Sequence, residues 1–268
     1  MLQLDPSTLP SSLELPDSDD TPVDNEDQNF VPNVLLFVLE YLWRTRDDWY
    51  FGVDMGIYHL AEDNPRTPII PDGFLSLGVE RRKKGRSRRS YVMWEEDYIS
   101  PSLVLEVVSV TRGNEYDEKL STYEKLGVLY YVIYNPEFWK RDKHDPFEVY
   151  KLERGTYQLH SGEPYWMPEI GLGIGRNTQS SDPYRREILS WYDERGMAYP
   201  TAQEQLVAER NRVQAERERA EMAERQVQDE RERTEAAQKR ADVLADYLRS
   251  QGIDPDSLPG GNESDRQF

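Results

Sequence analysis

The chain has 268 residues, a formal net charge of −18 and no cysteine, which excludes disulfides and thiolate metal sites. His59, His144 and His160 stand singly without zinc-site spacing, no apolar run approaches the ~20 residues that span a bilayer, and the first residues lack the basic and apolar regions of a signal peptide, so a soluble cytoplasmic protein with no membrane partner is expected. Acidic residues outnumber basic ones 51 to 33, but residues 1–29 hold eight Asp and Glu and no Lys or Arg while residues 81–89 read Arg-Arg-Lys-Lys-Gly-Arg-Ser-Arg-Arg, so the total does not exclude nucleic acid.

Residues 1–29, rich in Pro, Ser, Asp and Glu, have the composition of a disordered acidic tail. Val34 to Trp43 is almost wholly apolar and reads as a buried helix that starts after Asn33 as N-cap, with Glu40 as its exception. Strand-like stretches follow at about 50–60 and 68–78, then the basic loop and a strand at 102–109. Glu115 to Leu126 reads as an amphipathic helix closed by Gly127, and Val128 to Tyr134 as a strand stopped by Asn135-Pro136. Strand, helix and strand in such succession predict a crossover between parallel strands of a parallel or mixed sheet. Two more strands, at 147–152 and 156–160, are joined through Glu153-Arg154-Gly155. Residues 163–200 read as an irregular cover layer with one short helix near 183–193. From 201 to about 250 the composition is Glu, Arg, Gln and Ala without proline, which predicts one long charged helix, and 251–268 reads as a second disordered tail. In that helix Leu206, Val213, Ala220, Val227, Thr234, Ala241 and Leu248 recur every seven residues. The companion heptad position is mostly charged or polar until Ala237 and Leu244, which leaves a solvated helix and a dimeric coiled coil both open.

Asp72 and Glu106 are each the sole charge in an apolar run, Ile69 to Leu75 and Leu103 to Val108. A carboxylate taken out of water costs several kcal/mol unless a cation or strong donors compensate it. Side-chain alternation puts Val104, Glu106 and Val108 on one face and Leu103, Leu105 and Val107 on the other. Pro71 removes a ladder donor and marks an edge or bulge before Asp72. Taken singly, Asp72 could open a turn with Gly73 and Glu106 could pair with a buried Arg.

Pro71-Asp72, then an apolar strand carrying Glu106, then a helix with a lysine resembles the PD-(D/E)-x-K nuclease superfamily. More narrowly, Leu105-Glu106-Val107-Val108-Ser109, Thr111, Tyr116-Asp117-Glu118-Lys119 with Tyr123, and Gly127-Val128 leading into Tyr130-Tyr131-Val132-Ile133 resemble the Uma-type family of restriction endonucleases, over roughly residues 30–200. The resemblance implies an α/β restriction-endonuclease-like core, a mixed β-sheet flanked by helices, followed by the long C-terminal helix. It also implies metal-dependent phosphodiester cleavage. Asp72, Glu106 and the Val107 carbonyl would hold Mg²⁺ or Mn²⁺, and Lys119 would serve as activating base or charge stabiliser. The superfamily lysine two residues after the strand carboxylate is replaced here by Val108, and the Uma-type pattern carries its lysine on the following helix. Lys119 and Tyr123, spaced i, i+4, lie on one face of that helix, whereas Lys125 lies on another. Glu40 is an additional candidate ligand, although Arg44 one turn later offers it an intrahelical pair.

Arg81, Arg82, Lys83, Lys84, Arg86, Arg88 and Arg89 form the candidate DNA contact, since clustered cations gain affinity by releasing phosphate counterions. Three functions remain: an endonuclease acting on DNA, a degenerate nuclease fold that binds DNA without cutting it, and a scaffold that recruits partners through its C-terminal helix. A homodimer would form through the core or through that helix.

Overall fold

The computed structural model describes residues 9–16, 25–60, 64–111, 113–179, 182 and 184–257. The chain divides into two compact units, Met1–Gln205 and Leu206–Phe268. Most of the first tail, residues 1–8 and 17–24, and residues 258–268 of the second lie outside the described residues.

The first unit is built on a six-stranded mixed sheet in the order β1-β3-β5-β6-β7-β8, formed by Trp49–Val53, Gly73–Leu77, Leu103–Val107, Tyr130–Tyr134, Phe147–Glu153 and Thr156–His160. A two-residue strand β2, Ile57–Tyr58, pairs in parallel with β4, Tyr91–Val92. β5 and β6 are parallel, and the connection between them carries α2, Glu118–Leu126, as the strand-helix-strand pattern predicts. The remaining neighbours in the large sheet are antiparallel. Gly127 ends α2 at φ 74°, a left-handed position that glycine adopts without a side-chain penalty. β7 and β8 meet through Arg154 and Gly155, both at positive φ, which suits a tight two-residue hairpin turn.

The sheet is buried on both faces. Leu75, Leu103, Leu105, Val107 and Val132 pack with Leu35 and Leu39 of α1, Glu26–Leu42, on one side. Phe74, Val104, Val108 and Ile133 pack with Tyr123 and Leu126 of α2 on the other. The two-residue alternation of β5 thus assigns its side chains to opposite layers, as its sequence predicts.

Three expectations are corrected. α1 begins at Glu26, capped by Asn25, whose side chain accepts from the Gln28 N–H at 3.1 Å; Asn33 lies inside the helix and donates to the Asn29 carbonyl at 2.8 Å. An acidic first turn of Glu26 and Asp27 suits the positive end of the helix dipole, so residues read as tail composition initiate the helix. The cover layer at 163–200 is a three-stranded antiparallel sheet, β9 Tyr165–Met167, β10 Leu172–Thr178 and β11 Glu187–Tyr192, and β11 replaces the helix expected near 183–193. Its glycines serve close approach: a side chain at Gly175 would meet Pro164 at 2.9 Å. Residues 10–16 of the supposed tail dock on the fold, with Leu15 buried against Tyr58, Val92 and Trp94, and the Pro10 carbonyl accepting from Trp94 Nε1 at 2.9 Å.

Between β6 and β7 lies the short helix α3, Trp139–Asp142. α4, Ala202–Ser250, starts in the last residues of the first unit and makes up most of the second, and none of its residues is buried. Thr201 and Glu204 form a reciprocal capping box, the Thr201 N–H to Glu204 at 2.9 Å and the Glu204 N–H to Thr201 at 3.3 Å. Among the described residues no helix is long and apolar enough to cross a membrane.

Candidate active site

β3 and β5 run antiparallel with Gly73 opposite Leu105, so one further step of the register sets Asp72 opposite Glu106. Gly73 opens β3 rather than a turn, and a side chain there would press on Pro32 of α1 and on Phe51 at 3.2–3.3 Å. The Val107 N–H donates to Asp72 Oδ2 at 2.6 Å, while the Val108 N–H turns to the Tyr134 carbonyl of β6. The N–H and C=O of one strand residue point to the same side, so the Val107 carbonyl lies toward β3 with Asp72.

Glu106 is 1% exposed. Its carboxylate is held from α2 by two donors one helical turn apart, Lys119 Nζ at 2.8 Å and the Tyr123 hydroxyl at 2.6 Å. The i, i+4 face predicted for this pair is therefore the face turned to β5. Val108, where the superfamily lysine would stand, is packed into the apolar layer. Among the described residues the cation paired with Glu106 is Lys119 rather than an arginine.

Burial and then the Glu106 charge push the Asp72 carboxyl well above its usual range, and Asp54 adds to the shift against the opposing Val107 N–H and Lys119. Burial likewise raises Glu106, with Lys119 and Tyr123 opposing. Burial alone would lower Lys119, but the Glu106 charge and hydrogen bond outweigh it, aided by Asp72 and Glu115, so the ammonium form is favoured. Burial and Glu106 also hold the Tyr123 phenol protonated as a donor. The centre thus contains two carboxylates facing one fixed ammonium.

Sequence reasoning did not single out Asp54 or Glu115. Asp54 sits at the end of β1 with φ 46°, its N–H on the Asp72 carbonyl at 3.2 Å. Glu115 is 6% exposed and accepts from the Gly113 N–H at 3.2 Å. Asp54 is the sole Asp, Glu, Lys or Arg between Trp49 and Leu60, the same signal that marks Asp72 and Glu106, whereas Glu115 lies in a polar stretch that only the folded chain brings near. Beside the centre a cavity of about 570 Å³ is lined by Lys119, Thr122, Asn114, Gly113, His59 and Ile70 among others.

Glu40 does not join this group. It pairs with Arg81 rather than Arg44, and α1 packs against the sheet face opposite the one that carries Glu106. Several basic-loop residues are occupied within the fold. Arg81 lies 4.3 Å over the Trp49 ring besides binding Glu40. Lys83 binds Glu96 at 3.0 Å. The Arg88 side chain is 2% exposed, binds Glu96 at 3.0 Å and the Glu80 carbonyl at 2.6 Å, and stacks over Tyr50. Arg82, Lys84, Arg86 and Arg89 are exposed.

Among the described residues no group of three or more His, Cys, Asp or Glu is arranged to hold a metal ion. A divalent cation at Asp72 and Glu106 would therefore have two carboxylates as protein ligands, supplemented by backbone oxygen and water. That donor set is all oxygen and suits Mg²⁺, which retains several waters when bound.

No curated protein matches the chain. A crystal structure described as a putative nuclease belonging to DUF820 from Anabaena variabilis ATCC 29413 is similar over 55% of this chain and 74% of that one, at 11% identity and a TM-score of 0.39. The family model described as "Uma2: Putative restriction endonuclease" matches residues 20–179. With more than half of its length inside that match, the chain belongs to the Uma2 family of restriction-endonuclease-like nucleases.

Proposed function

We propose that the chain is an endonuclease that hydrolyses phosphodiester bonds in DNA with Mg²⁺ or Mn²⁺ at Asp72 and Glu106. The observation that carries this reading is the joining of three residues distant in sequence: Asp72 on the Val107 amide, Glu106 beside it in register, and Lys119 on Glu106. Two carboxylates against one ammonium leave a deficit of positive charge that a divalent cation offsets. Asp72, Glu106 and the Val107 carbonyl would hold the ion. When bound, it supplies acidification of water and neutralisation of phosphate charge.

The protein's own groups divide the remaining work. Lys119, kept as ammonium by Glu106, orients the attacking water or stabilises the negative charge that accumulates on the phosphate in the transition state. Tyr123 fixes the Glu106 carboxylate from its second oxygen and keeps it aimed. Arg82, Lys84 and Arg86 are exposed cations that would meet phosphates, and such contacts orient a duplex without reading its sequence.

Plasmid nicking with Mg²⁺ or Mn²⁺ tests the assignment. Asp72→Asn, Glu106→Gln and Lys119→Met each lower the single-turnover rate by about 10²–10³-fold, the scale of losing one preorganised charge-stabilising group. Equal rates in all four proteins, or cleavage insensitive to chelator, sink the site. Salt-sensitive DNA binding without any cleavage by the unsubstituted protein supports the non-catalytic binding function instead.

A further inference from the structure

The second unit presents a helix with an unpartnered stripe. α4 runs unbroken for 49 residues with none buried, and Leu206, Val227 and Leu244 are 53%, 49% and 59% exposed. Isolated helices are sustained by side-chain pairs along their surface, and those pairs reveal which face α4 completes by itself. Gln214 with Glu218, Glu221 with Arg225, Gln228 with Glu232, and Asp246 with Arg249 all lie on the side away from the seven-residue stripe. Beside the stripe, among the described residues, Arg212 pairs with Glu216 and Gln238 with Asp242. The side chains of Arg210, Arg217, Arg219, Arg231 and Arg233 make no hydrogen bond or ion pair among the described residues.

The charges at the seam follow a rule. Its second heptad position is acidic at Glu209, Glu216 and Glu230, and each is followed directly by Arg: Arg210, Arg217 and Arg231. Where that position is Ala223 or Ala237, the next residue is Glu224 or Gln238. In a parallel two-stranded coil a side chain at this position packs against the following residue of the other strand. Each Glu then meets an Arg of the second copy, which offsets the approach of the two Glu side chains in that layer. Antiparallel pairing over the full helix would instead set Glu209, Glu216 and Glu230 against Ala241, Thr234 and Ala220. In the last third of α4, Ala237, Ala241, Leu244 and Leu248 complete an uninterrupted apolar seam.

From this complementarity we propose that α4 is one strand of a parallel, in-register coiled coil with a second copy of the chain. The proposal stands independently of the nuclease assignment.

The absence of cysteine makes the test direct, because Val213→Cys places one thiol in the seam, off centre. Sedimentation equilibrium of the full chain at micromolar concentration should give twice the 31.5 kDa chain mass. Mild oxidation should convert Val213→Cys to a disulfide-linked dimer, while Glu218→Cys on the outer face stays uncrosslinked. Leu244→Glu/Leu248→Glu should return the monomer mass without moving the unfolding temperature of the first unit. A monomer at every concentration, a dimer that survives the double substitution, or a dimer in which Val213→Cys fails to crosslink each overturns the proposal.

Discussion

Burial and the Glu106 charge across the register outweigh the hydrogen bond that the Asp72 carboxyl accepts from the Val107 N–H, so its charged form is disfavoured in the metal-free protein. Its raised pKa fixes the sign of a pH effect. Between the unfolded value near 4 and the higher folded value, the folded state binds more protons than the unfolded state, so Asp72 costs stability as pH rises and the cost levels off above the folded pKa. Asp72→Asn keeps an oxygen for the Val107 N–H and removes the charge. The metal-free variant should melt above the unsubstituted protein at pH 7 by about 0.5–2 kcal/mol, a typical active-site trade-off, and the gap should shrink toward pH 4. Adding Mg²⁺ reverses the order: at 100 times its dissociation constant, binding stabilises the unsubstituted protein by about 2.7 kcal/mol and leaves Asp72→Asn unmoved. Calorimetry at two pH values with and without Mg²⁺ reads both effects, and a variant that never melts higher contradicts the electrostatic account. The sequence could expose Asp72 and Glu106 because each breaks an apolar run. Asp54 breaks the run from Trp49 to Leu60 in the same way, but only the turn after β1 shows that it acts on Asp72.

At the scale of elements, the basic loop divides into cations that hold the fold and cations free to meet a ligand. Composition shows seven alike, but Arg88 is buried against Glu96 and Tyr50 while Lys84 and Arg86 face solvent. Arg88→Ala leaves Glu96 with Lys83 as its remaining cation and removes the donor to the Glu80 carbonyl, and should cost about 1–3 kcal/mol in denaturant unfolding. Lys84→Ala and Arg86→Ala should stay within about 0.5 kcal/mol of the parent in stability. If these two meet phosphates, each should weaken DNA binding uniformly across sequences and reduce the slope of log affinity on log salt by about one. An Arg88→Ala protein of unchanged stability, or unchanged salt slopes for the exposed pair, removes the division. The same limit of sequence reading explains β10, where Gly173 and Gly175 resemble loop punctuation but admit Tyr192 and Pro164 against the strand. Conversely, α2 was legible through to its end because apolar spacing, Lys119 to Tyr123 periodicity and a glycine C-cap agree.

For the whole molecule, the composition break near residue 200 coincides with a physical one. Both apolar layers of the large sheet draw their buried residues from positions between Val31 and Trp191, and α4 contributes none. Stability of a packed unit follows the apolar area it buries, so a helix without buried residues adds little to it. A chain ending at Gln205 retains every residue of the site, the capping residue Thr201 and both core layers. It should unfold cooperatively within about 2 °C of the corresponding transition in the full chain, since changes that touch no packed group stay within about 0.5 kcal/mol. The full chain should show in addition a helical far-ultraviolet signal that is lost in a separate transition. Because coil pairing is bimolecular, that second transition should move with protein concentration while the first stays fixed. Destabilisation of the truncated chain by several degrees would mean that α4 supports the sheet, and two transitions that always coincide would make the units one cooperative body.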